Sequence, residues 1–166
     1  MFNRISIVGL VIGISGSVHA NMWTVSANLF GLSEVPPNAS PAIGTLTGTY
    51  NDVTKNLTVD TFASGMLAPV TAAHIHTGAV GVSGPVLFPL SGVVGGLTFT
   101  SHDVFVLTAG QEINLLGGLN YVNVHSTAFP GGEIRGQLVA TPVPEPAAFA
   151  VLGLGALALI RRRKVK

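Results

Sequence analysis

The chain has 166 residues, of which 48% are hydrophobic and only 9% charged, and it contains no cysteine. This composition excludes disulfide bonds, a thiolate nucleophile and cysteine metal ligands, and the length leaves room for one small domain. Five of the eight basic residues lie in the last six positions, so residues 21–141 hold only Lys55 and Arg135 against six acidic residues, and an acidic domain argues against nucleic-acid binding.

The first 20 residues have the features of a secretory signal. Arg4 supplies a positive charge, residues 5–15 are apolar, and Val18 and Ala20 are small residues at the two positions that signal peptidase recognises. We therefore expect a signal helix over residues 1–20, cleavage by signal peptidase, and a mature chain that begins at Asn21.

The interior, residues 21–141, predicts one all-β domain. Segments rich in Val, Thr, Leu and aromatic residues alternate with turns that contain Gly, Pro, Asn or Asp. No interior segment shows a helical period, so we expect a Greek-key-like β-sandwich or a flattened barrel of about eight strands. The predicted strands cover residues 23–30, 44–50, 57–62, 72–77, 86–90, 97–107, 119–126 and 133–139.

Three histidines in these strands are candidates for a common site. Alternate side chains of a strand share a face, so His74 and His76 point to the same side. If the strands over 119–126 and 133–139 form a hairpin, His125 falls near Glu133 or Arg135. The predicted strands therefore gather imidazoles, a carboxylate and a guanidinium on one polar face.

Two interpretations of this polar face stay open. In the first, the three histidines are neutral nitrogen ligands for zinc or copper, and Glu133 ligates or orients a ligand. The His-x-His pair is similar to the copper-site strand of Cu/Zn superoxide dismutase, but the other ligand spacings of that enzyme are not evident here. In the second interpretation, which we prefer from sequence, the histidines and Arg135 bond loop carbonyls. Motifs of a nucleophilic or carboxylate-based enzyme are absent from the sequence.

Three sequence segments carry a family resemblance. They are LSEVPPNASPAIGTLTGTY at 32–50, TAAHIHTGAVGVSGPV at 71–86 and NYVNVHSTAFPGGEIRGQL at 120–138. Together they resemble CHRD domains, which are named after chordin and are common in bacterial secreted proteins. The resemblance implies an extracellular β-sandwich module and transfers no catalytic residues.

The C-terminal segment, residues 142–166, combines three features in a fixed order. Pro144, Glu145 and Pro146 form a stiff break, residues 147–160 are an uncharged apolar run, and a basic cluster follows. The apolar run is shorter than the roughly 20 residues that span a bilayer comfortably, so we expect a hydrophobic helix that anchors the chain transiently, with its basic end in the cytoplasm. The cluster consists of Arg161, Arg162, Arg163 and Lys164, with Lys166 beyond it.

This order of features resembles the PEP-CTERM sorting signal of Gram-negative bacteria that make extracellular polysaccharide. The resemblance implies recognition of the Pro-Glu-Pro motif by an exosortase, a membrane transpeptidase. We therefore expect an exported, non-enzymatic structural or binding module, held briefly in the inner membrane and then placed at the cell surface or outside the cell. Its expected partners are signal peptidase, an exosortase, and extracellular polysaccharide or surface proteins. The alternative is a copper- or zinc-binding protein, with redox activity as one option, that uses His74, His76 and His125.

Overall fold

A computed structural model describes residues 21–143. The predicted signal helix, the Pro-Glu-Pro motif, the hydrophobic helix over 147–160 and the basic cluster lie outside the described residues. Among residues 21–143, no helix has both the length and the apolar character needed to cross a membrane.

Within the described residues the chain forms nine strands in one antiparallel sheet, which confirms the all-β prediction. The strand order is β5-β4-β7-β8-β1-β2-β3-β6, with β9 also paired to β1. The last predicted strand, 133–139, is divided into β8 and β9. The strands are β1 (Met22–Phe30), β2 (Ile43–Asn51), β3 (Asn56–Ser64), β4 (Val70–Thr77), β5 (Val86–Pro89), β6 (Phe99–Val106), β7 (Asn120–Ser126), β8 (Ile134–Gln137) and β9 (Val139–Pro142).

The sheet curls into a flattened, nearly closed barrel. Its two outer strands, β5 and β6, approach each other through Phe88 and Phe105, whose rings stack with centroids 4.3 Å apart. Alternate residues of the strands fill the interior; in β1, for example, Val25 and Leu29 are fully buried. The flattened barrel was one of the two architectures expected from the sequence.

The expectation of no interior helix is wrong. The chain forms α1 (Ala109–Leu116), which begins with a capping box between Thr108 and Gln111. Only Leu115 of this helix is buried, so its eight residues carry too few core positions to produce a visible helical period. Its start signal is local, because each partner of the capping box satisfies a backbone N–H of the other.

Candidate metal centre

The structure brings the three predicted histidines together. Strands β4 and β7 pair so that Ala72 lies opposite His125 and Asn123 lies opposite His74, which makes the two histidines diagonal neighbours. His74 Nδ1 is 3.0 Å from His125 Nε2, and one nitrogen from each of the three rings lies within 4.8 Å of the others. Strand pairing therefore converts a sequence pattern into a cluster of three imidazoles.

Backbone carbonyls orient two of the three rings. His76 Nδ1 is 3.0 Å from the Gly84 oxygen, and His125 Nδ1 is 2.9 Å from the Pro130 oxygen. Because a carbonyl only accepts hydrogen bonds, these contacts place the ring proton of His76 and of His125 on Nδ1. His125 Nε2 then accepts a hydrogen bond from His74 Nδ1–H. His76 Nε2 is buried and has no hydrogen-bond partner. A metal-binding histidine is usually oriented by a hydrogen bond from its other ring nitrogen, as Nδ1 of His76 and of His125 makes here to a backbone carbonyl.

The electrostatics of the cluster favour neutral imidazoles. Burial lowers the pKa of His74, and the neighbouring His125 and His76 lower it further. Burial also lowers the pKa of His125, against the opposing effect of the Pro130 carbonyl and with a further contribution from His76. Deprotonated imidazole is the form that binds metals, so the site is prepared for a cation near neutral pH.

The donor set fits a transition-metal ion. Zinc–nitrogen bonds of about 2.0–2.1 Å put tetrahedral ligands about 3.4 Å apart. His74 Nδ1 and His125 Nε2 would therefore move slightly apart, and the nitrogens that are now farthest from each other would move closer. His76 is 7% exposed, whereas His74 and His125 are half-buried, which leaves a route for an ion. Three imidazoles leave a fourth coordination position for water or another ligand.

Glu133 was expected to ligate a metal or to orient a histidine ligand, but its carboxylate hydrogen-bonds elsewhere. Its carboxylate is fully buried, and Oε1 accepts hydrogen bonds of 2.7 Å from Ser40 Oγ and from the Leu67 backbone N–H. The carboxylate therefore ties two loops to β8. Glu133 lies immediately before β8 and its N–H bonds the Val124 carbonyl of β7, but strand parity gave no information about its distant side-chain partners.

Two neighbours of the cluster form a layer that sequence reasoning missed. The Tyr121 ring stacks on His76 with centroids 4.8 Å apart and an angle of 6°, and the Arg135 guanidinium lies 3.4 Å from the centre of the Tyr121 ring. Arg135 also donates 3.0 Å hydrogen bonds to the carbonyls of Ala79 and Val82, as the second interpretation expected of it. Parity places Tyr121 on the histidine face, but the stack depends on the pairing of β4 with β7, which sets His76 opposite Tyr121.

A cleft of about 480 Å³ lies beside this layer, between the loop after β1 and the loop after β4. Leu32, Val35 and Val80 provide apolar walls, and Arg135 lines it as well. Glu34 also borders the cleft, although it is only 6% exposed, and burial raises its pKa to about 7. Nothing in the sequence distinguishes Glu34 from a surface carboxylate.

Comparison with known families adds two matches. The model of the CHRD domain matches residues 25–138, a stretch that includes all three histidines, and the model of the PEP-CTERM protein-sorting motif matches residues 142–164. Neither the curated proteins nor the solved structures yield a significant match.

Proposed function

Because this chain belongs to the CHRD domain family and a PEP-CTERM sorting motif follows its domain, we propose that it is an exported surface module that binds copper or zinc through His74, His76 and His125. The sorting motif marks the chain for export and for processing by an exosortase. Transient insertion in the inner membrane, cleavage after Ala20 by signal peptidase, and a final position at the cell surface are parts of the proposal.

One observation carries the metal assignment. The buried Nε2 of His76 has no hydrogen-bond partner, and it belongs to the same cluster as the nitrogens of His74 and His125. An unpartnered buried acceptor costs about 1–3 kcal/mol. A cation bound to the cluster removes that cost, because it accepts the free lone pair of His76 Nε2.

The chain's own residues would hold the ion in a defined way. His76 and His125 would bind through Nε2, because the carbonyls of Gly84 and Pro130 occupy their Nδ1 protons. His74 would bind through Nδ1, the nitrogen that faces His125, with its ring proton moved from Nδ1 to Nε2. When bound, zinc supplies Lewis-acid chemistry and copper supplies redox chemistry at the fourth position.

A second candidate function is a metal-free structural or adhesive module, whose ligand would be an extracellular polysaccharide or a surface protein. The contacts from His76 to Gly84 and from His125 to Pro130 favour it, because they hold two loops without any ion. In this case the three histidines stabilise the fold and have no chemical role.

Thermal unfolding of the full chain, purified in mild detergent, separates the two functions. We expect added zinc or copper to raise the melting temperature of the chelator-treated protein, since an ion at 100 times its Kd adds about 2.7 kcal/mol to stability. The effect should vanish in His76→Ala and persist in His102→Ala, which removes an exposed histidine paired with Asp60 on the barrel surface. It should also fade in acid, at a pH below the ordinary imidazole pKa of about 6.5, because the pKa values of His74 and His125 are lowered.

The contrary result is equally clear. Equal melting temperatures with and without metal in the wild type would reject the metal site. The structural module then remains, and His76→Ala should cost about 1–3 kcal/mol through its lost hydrogen bond, independent of added metal.

A further inference from the structure

The loop between β4 and β5, residues 78–85, is held against the histidine face by side chains. Four of its backbone carbonyls accept hydrogen bonds from residues that lie on β4, β7 or β8. Most of these bonds come from groups that are themselves buried or half-buried. The pairs are Gln137 to Gly78, Arg135 to Ala79 and Val82, and His76 and Tyr121 to Gly84.

Tyr121 and His76 meet at the same peptide group of this loop. The Gly84 N–H donates to the Tyr121 hydroxyl at 3.1 Å, and the Gly84 carbonyl lies 3.4 Å from that hydroxyl and 3.0 Å from His76 Nδ1. A Cβ at position 84 would collide with the Thr77 carbonyl oxygen, so the close approach requires glycine. The carbonyl that orients His76 is thus itself fixed by Tyr121.

Building on the metal site proposed above, we propose that Tyr121 is a positioning residue for that site and that loop 78–85 and the metal stabilise each other. Tyr121 fixes Gly84, Gly84 orients His76, and the stacked Tyr121 ring restricts His76 rotation. Coupling between two binding events is reciprocal, so an ion that fixes His76 must also hold the loop more firmly. Val80 and Gly81 line the neighbouring cleft, so metal loading also fixes one wall of that cleft.

The test compares Tyr121→Phe with Tyr50→Phe in the full chain. Tyr121→Phe keeps the stacked ring and removes only the hydroxyl, while Tyr50, the other tyrosine of the chain, is fully buried in the core cluster on β2. We expect Tyr121→Phe to weaken zinc binding by about tenfold or more in calorimetry, as loss of a ligand-orienting partner does, and Tyr50→Phe to leave it unchanged. The visible absorption spectrum of bound cobalt(II), which reports ligand geometry, should change only in Tyr121→Phe.

Hydrogen exchange provides a second readout, which is independent of the measured affinity. Zinc should slow amide exchange of Val82 and Gly84 in the wild type, and the slowing should be smaller in Tyr121→Phe. If zinc binds the wild type but leaves loop exchange unchanged, and Tyr121→Phe binds it with equal affinity and spectrum, the positioning role is wrong while the metal site stands. If zinc does not bind the wild type at all, the metal site itself fails, and the role of Tyr121 with it.

Discussion

Glu34 is a loop carboxylate whose environment differs from that of an ordinary surface residue. It lies in an irregular loop, yet the loop folds onto the barrel and leaves the side chain only 6% exposed. Burial raises its pKa to about 7, although the Val35 N–H, Arg135 and Asn123 each act in the opposite direction. Near neutral pH this carboxyl therefore holds a proton about half of the time.

We expect Glu34 to make the stability of the protein fall as pH rises from about 5 to 8. The folded state binds the proton more tightly than the unfolded state, whose carboxyl has the ordinary pKa of 4.5, so its stabilising contribution is complete below 4.5 and lost through 7. Glu34→Gln imitates the protonated form and should exceed the wild type at pH 8 by on the order of 2 kcal/mol.

Urea unfolding at pH 5, 6, 7 and 8 measures the Glu34 effect. The lowered pKa values of His74 and His125 act in the opposite direction, since protonation of the buried imidazoles costs stability as pH falls below 6.5. These histidines are present in both proteins, so their contribution cancels in the difference. Parallel stability curves for wild type and Glu34→Gln would contradict a raised pKa.

At the scale of elements, α1 shows how a short helix depends on its first turn. The Thr108 side chain accepts a hydrogen bond from the Gln111 N–H, and the Gln111 side chain accepts one from the Thr108 N–H. Glu112 in the same turn forms a 2.7 Å ion pair with Lys55 of the β2–β3 turn. With one buried residue, the helix gains little from packing.

We therefore predict that Thr108→Ala lowers the free energy of unfolding by about 1 kcal/mol, because it removes the N-cap acceptor. Thr108→Ser keeps the hydroxyl and should retain most of the stability. Chemical denaturation of the three proteins tests this, with circular dichroism to show that the barrel remains folded. An equal loss in the serine and alanine variants would mean that the methyl group, rather than the cap, matters.

The strands and the histidine cluster were accessible from sequence because both follow from period-two alternation. Parity put His74 and His76 on one face, and the pairing of β4 with β7 brings His125 beside them. The partners of Glu133 were not accessible, because Ser40 and Leu67 lie far away in sequence. The course of loop 78–85 was hidden for the same reason, since side chains of β4, β7 and β8 determine it.

At the scale of the molecule, both ends of the described chain leave the barrel together. The Val143 N–H donates a hydrogen bond to the Met22 carbonyl. The Asn21 N–H donates to the Asp52 carboxylate at 2.9 Å, so an N-terminal amine created at Asn21 would lie beside that carboxylate. β1 runs about 25–30 Å from this end, and its last residue, Phe30, pairs with Arg135. Arg135 pairs with Asn123, which pairs with His74. The histidine site therefore lies towards the opposite end of β1 from the segments that enter and leave the domain.

This arrangement predicts that sorting and folding are separable. Replacing Pro144 and Pro146 with alanine should leave the domain folded, because β9 ends at Pro142 and its pairing with β1 does not use the motif. The variant should stay in the membrane, since the apolar run 147–160 and the basic cluster persist while the exosortase recognition element is lost.

A chain that ends at Val143 is the matched control, and it should be exported without membrane retention. Cell fractionation with intact-mass measurement tests all three chains. The expected wild type begins at Asn21 and has lost its basic end, whereas equal release of the alanine variant, or wild-type protein that retains Met1, would overturn the proposed processing.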